Sequence, residues 1–81
     1  MDIRRQVGLN LRKYREALGL SQEAFAFECG LHRTYVSGVE RGIRNPTVTV
    51  LARFADALDV PPSALLEPVR AGRARSKETA S

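Results

Sequence analysis

Cysteine and histidine are almost absent from this chain, and each scarcity excludes a class of protein. Cys29 and His32 are the single members of their kinds among 81 residues. A lone thiol forms no intramolecular disulfide, which fits a reducing compartment, and one thiol with one imidazole makes no metal centre. Cys29 is therefore expected in the core, where small thiols commonly lie. Long apolar runs are missing too. Nothing approaches the ~20 residues of a membrane span, and the start, MDIRRQVGLNL, has no sustained signal-peptide core. A cytoplasmic protein with no membrane partner is expected. Strand alternation, hairpin signals and internal repeats are also wanting. With no carboxylate pair beside a histidine, no phosphate-binding glycine loop and no metal cluster, neither an enzyme nor a cofactor is expected.

What is present is ordinary for one small folded domain: 43% apolar and 27% charged residues, with a net charge of +4. A chain this short buries only about 60% of its unfolded surface, leaving no room for a separate sensing or catalytic domain. The positive charge points to a polyanionic partner. Much of it sits at the end, where VRAGRARSKETAS carries Arg70, Arg73, Arg75 and Lys77 against Glu78 alone. Residues 68–81 are thus expected to form a disordered basic tail after a domain spanning residues 1–67.

Apolar spacing predicts a helical body. Asp2 can cap a first helix with Ile3, Val7, Leu11, Tyr14 and Leu18 on one stripe, stopped at Gly19. Ser21 caps a second, QEAFAFECG, ended by Gly30. A third should run from His32 to Arg41, closed by Gly42 and followed by an Asn45-Pro46 loop. Thr47 caps a fourth with Val48, Leu51, Phe54, Ala55 and Leu58 inward. Pro61-Pro62 can start a short fifth, SALLE.

The second and third helices, joined tightly at Gly30, must cross steeply, with Ala26 at the contact and Phe25, Cys29, Leu31, Val36 and Val39 inward. Arg33, Thr34, Ser37, Gly38 and Arg41 then fall within about 140° on the opposite side. This third helix is poor in good helix formers, so its outer residues answer to something other than helicity. Gly38 removes a side chain where a large partner must approach the backbone. Arginine pairs bidentately with guanine, threonine offers a methyl to thymine, and hydroxyls reach bases or phosphates.

The order Gln22, Phe25, Ala26, Cys29, Gly30, Leu31, Val36, Val39 resembles the helix-turn-helix of lambdoid repressors and Xre-like regulators. RTYVSGVERGIRNP is similar to the controller proteins of restriction-modification systems. The resemblance implies an all-α, five-helix, lambda-repressor-like domain that binds an operator in double-stranded DNA as a homodimer. It implies that Arg33 reads base edges, with contributions from Thr34, Tyr35 and Ser37 and from Arg41 on the same face. Gln22 would grip a phosphate, Arg44 and Asn45 would touch the DNA backbone near the dyad, and Arg15 would pair with Glu40. His32 is expected at the helix entry or on the phosphate side. One recognition helix reads only a few base pairs, so a dimer surface is required, and Phe54, Val60, Pro61, Leu65 and Leu66 are its candidates. RNA polymerase is a further partner if the protein activates. The alternative is an antitoxin-like or anti-repressor module with the same scaffold, whose third helix should be apolar or acidic outside.

Overall fold

The computed structural model describes residues 2–69. Helix α1, Ile3–Ala17, starts where the Asp2 carboxylate accepts the Arg4 amide at 2.8 Å and ends at Leu18, before Gly19 at φ 72°. Hydrogen bonds from the Arg4 side chain and from its amide hold the Asp2 carboxyl below its ordinary pKa. Helix α2, Gln22–Cys29, begins with the Ser21 hydroxyl accepting the Ala24 amide at 3.0 Å. Gly30 closes it in the left-handed region (φ 68°, ψ 32°), which costs a glycine no Cβ strain. The Leu31 amide then donates to the Ala26 carbonyl at 2.9 Å, and the chain re-enters a helix within three residues. Helix α3 is Arg33–Glu40, and α4, capped by Thr47, is Val48–Leu58.

The inward stripes meet in one core. Leu11 from α1, Phe25 from α2, Val36 and Val39 from α3, Phe54 from α4 and Leu65 beyond it are fully buried. Phe25 and Phe54 face each other with ring centroids 5.6 Å apart. Cys29 lies in this core, and burial, with Glu28 beside it, pushes its thiol pKa up to about 11. A neutral thiol is thus kept where a thiolate would be costly.

Several expectations are corrected. The fifth segment is a 3-10 turn, Pro62–Leu66, so the described residues form four α-helices. Pro61 and Pro62 withhold amides, and five residues are too few for a stable α-helix. Val48 is 83% exposed because it stands at the first turn of α4, beyond the reach of the core, and Ile3 and Leu18 are exposed at the two ends of α1. Phe54 and Leu65 are fully buried within their own domain, so neither side chain is available to a second copy. The expected tail lies, from residue 70 onward, outside the described residues.

Two features of α1 fasten it to the rest of the domain. Asn10, 3% exposed, gives its amide hydrogens to the carbonyls of Leu65 (3.0 Å) and Glu67 (2.8 Å), and Gln6 donates to Leu66 at 2.8 Å. These bonds satisfy the carbonyls that a short 3-10 turn leaves open. On another side of α1, Gly8 lies against the end of α3. A Cβ there would overlap the Val39 carbonyl oxygen and stand 2.6 Å from that of Glu40. Backbone cannot yield as a side chain can, so only glycine permits this approach.

Gly8→Ala is expected to force α1 away from α3 and destabilise the domain by about 1–3 kcal/mol, as overpacking does. Thermal melting should fall by roughly 4–8 °C for each kcal/mol. A midpoint at or above wild type would show that the two helices separate freely.

Candidate nucleic-acid interface

The third helix is held from behind by a buried charged cluster. Arg15 of α1 donates from Nε to Glu40 Oε2 at 2.6 Å and from Nη2 to Glu40 Oε1 at 3.1 Å, a two-pronged pair. The side chains are 10% and 3% exposed. A third donor of Arg15, Nη1, is used on the Leu20 carbonyl at 2.7 Å. The hydrogen bond to Glu40 raises the Arg15 pKa against the opposing effect of burial. Gln22 at the start of α2 completes the cluster, its Nε2 donating to Glu40 Oε1 at 2.9 Å. One carboxylate at the end of α3 thereby ties α1, the following turn and α2 to that helix.

The structure places Gln22 differently from a free phosphate ligand. Its amide is turned inward toward Glu40, leaving the second amide hydrogen and the α2 N-terminus for the outside. His32 precedes α3 as its N-cap, its Nδ1 accepting the Thr34 amide at 3.2 Å with the Thr34 hydroxyl 2.8 Å away. In that tautomer the ring proton is on Nε2, facing away from the cap. The third helix accordingly starts at Arg33.

The outward side of α3 carries polar groups with no internal work. Arg33 and Arg41 are exposed, Ser37 is half-exposed, and among the described residues their side chains have no hydrogen-bond or ion-pair partner. Arg4 and Arg12, by contrast, are engaged by Asp2 and Glu16. Tyr35 is half-buried, packed against the core with its ring at the edge of this face. Asn45 is exposed and borders a shallow depression of about 80 Å³ between Ile3, Val7, Pro46, Leu51 and Leu66.

Gly38 is corrected. It is buried and offers no open approach to the backbone. The Arg44 side chain lies over it, with Cγ against the place a Cβ would take. Its carbonyl also receives the amides of Ile43 (3.0 Å) and Arg44 (3.2 Å), folding the exit loop back onto the helix. Pattern alone could not show this, because the glycine and its cover lie on opposite sides of a helix end. Phe27 was missed as well: it stands on the outer side of α2, 85% exposed, beside Glu23 and near Arg33.

Residues 11–65 match the family model described as helix-turn-helix. The chain belongs to the helix-turn-helix family. Control protein C.BamHI of Bacillus amyloliquefaciens is 40% identical over 78 residues, covering 95% of this chain and 96% of that one. The crystal structure of the restriction-modification controller protein C.AhdI from Aeromonas hydrophila superposes with a TM-score of 0.74 at 48% identity. It covers 76% of this chain and 94% of that chain. SinR, solved in complex with DNA, superposes with a TM-score of 0.72 at 31% identity over 75% of this chain and 98% of its own. Membership in this helix-turn-helix family makes the protein a sequence-specific DNA-binding regulator of the Xre type and not an enzyme. Among the described residues no helix is long and apolar enough to cross a membrane.

Replacing Glu40 by alanine removes the carboxylate from a buried guanidinium and the acceptor from Gln22. A loss of about 3 kcal/mol is expected. Urea unfolding should show a lower midpoint with unchanged slope; an unchanged midpoint would mean that the Leu20 carbonyl alone suffices for Arg15.

Proposed function

We propose that the protein is a cytoplasmic, homodimeric controller of transcription that lays α3 in the major groove of a pseudo-palindromic operator, as in a restriction-modification controller. The observation that carries this is the outward side of α3, where Arg33, Ser37 and Arg41 are free of internal partners while Glu40 on the buried side is fully engaged. A helix so held presents its donors in fixed register. Arg33, in the first turn, suits bidentate contact with the O6 and N7 of guanine. Thr34 and Ser37 lie close enough along the helix for base or phosphate contacts, and His32 faces the phosphate side. The α2 N-terminus with Gln22, and the exit loop with Arg44 and Asn45, would grip the DNA backbone on either side. An interaction module would need an apolar or acidic α3, which Arg33 and Arg41 contradict.

Half-sites about 34 Å apart require two copies. The apolar depression beside Asn45 supports a dimer surface around Leu66, which is 44% exposed, with Pro46, Leu51 and Ile3 as neighbours. Val60 and Pro61 lead into the 3-10 turn that carries Leu66 and remain partly accessible. Contact with RNA polymerase is supported by the exposed Phe27 and Glu23 on α2, outside the buried cluster. The names of the similar control proteins support a gene set of the restriction-modification kind.

Selection of bound duplexes from a random DNA pool should enrich a two-fold symmetric site. Arg33→Ala should cost about 1–3 kcal/mol and blur one position per half-site, while Arg44→Ala should weaken all sites evenly and lower the salt slope by about 1. A pool that shows no enrichment with wild-type protein rejects the regulator.

Leu66→Glu should leave the melting curve nearly unchanged but shift sedimentation toward monomer and weaken operator binding. Dimers that persist at wild-type affinity would move the interface elsewhere.

A further inference from the structure

A glycine within a short helix is a cost without evident return, since alanine there would be a better helix former. At Gly38 the return is space. A Cβ would collide with Arg44 Cγ and stand 3.4 Å from Nε and 3.5 Å from Cδ, so the arginine stem lies lengthwise in a notch cut into α3. Its guanidinium carbon ends 5.8 Å from the centroid of the Tyr35 ring, within cation–π range. The backbone is fastened at the same place, because the Gly38 carbonyl accepts both the Ile43 and the Arg44 amides. Arg44 nevertheless remains exposed, and among the described residues no carboxylate pairs with it.

We propose that Gly38 and Tyr35 are positioning residues for Arg44, holding its guanidinium on the outward side of α3 as a preordered contact for a DNA phosphate. The inference rests on the proposed DNA-reading function and adds to it the source of one cation. A loop arginine has many rotamers and loses them when it grips a phosphate; one already laid in a notch has less to lose. The reading surface is therefore composite. Arg33 and Ser37 come from the helix and Arg41 from its C-cap, and the level of Gly38 is filled from the exit loop. A bare glycine approached directly by the DNA backbone would need the notch to be empty, and it is occupied.

The test is a double-mutant cycle on the duplex that wild-type protein selects, with affinity measured across a salt series. Gly38→Ala is expected to fold with a melting point no lower than wild type, because the Arg44 side chain can swing aside. Its affinity should fall by roughly two- to twelve-fold, the cost of ordering one free side chain. The salt slope should fall toward that of Arg44→Ala, by up to about 0.9 for one lost phosphate contact. On the Arg44→Ala background the same glycine change should cost nothing. An equal cost with and without Arg44 would mean that Gly38 itself meets the DNA, and no cost in either background would mean that the seat is irrelevant; each result overturns the proposal. Should Gly38→Ala melt below wild type, Tyr35→Leu takes its place in the same cycle with the same opposing outcomes. Arg33→Ala separates the two levels. If wild type selects no duplex, the DNA-reading function fails and the seat with it; if Arg33→Ala weakens binding while the cycle is additive, only the seat fails.

Discussion

The Glu40 carboxylate is the point on which this small domain depends. Burying a charge is costly unless it is paired and hydrogen-bonded, and here Arg15 and Gln22 give the carboxylate three hydrogen bonds while the guanidinium also donates to the Leu20 carbonyl. An apolar contact of equal volume would hold helices together without fixing their rotation. Directional bonds from α1 and α2 to one residue at the end of α3 set the azimuth of that helix, which decides which of its side chains face outward.

The close approach of Gly8 to the Val39 and Glu40 carbonyls belongs to the same arrangement. It brings α1 near enough for Arg15, farther along the same helix, to reach Glu40. On the opposite side the Asn10 and Gln6 amides clasp the 3-10 turn, which lets Leu65 seal the core beneath Phe54 and leaves Leu66 outside. Adjacent leucines thus have opposite fates, one structural and one available to a partner.

Much of this was legible in the sequence because it depends on neighbours in the chain. The caps Asp2, Ser21 and Thr47, the left-handed Gly30 and the inward residues Phe25, Cys29, Val36 and Val39 follow from local periodicity and hydrogen-bonding chemistry. The Arg15 and Glu40 pair came through family resemblance, since nothing in spacing alone joins two such distant residues. What escaped depends on tertiary distance. Asn10 finds its acceptor 55 positions away, Gly8 is shaped by a helix end it meets only after folding, and Gly38 by a loop that turns back over it. His32 was legible as a helix-entry residue but not as a cap, because imidazole has a weak preference for that role beside serine or aspartate.

The absence of internal bonds at Arg33, Ser37 and Arg41 bears on how such a protein can diversify. On the proposed reading, fold and address are written in separate residues. Substitutions on the outward side leave the Glu40 cluster and the core intact, so a duplicated copy can drift toward a new target without first crossing an unfolded intermediate. Two copies that differ only there would share a scaffold, and on the proposed dimer they would also still recognise each other through an unchanged patch. Divergence of target would therefore bring mixed dimers with hybrid half-sites unless the surface around Leu66 changed as well, and insulation between sister regulators becomes a matter of a few apolar positions.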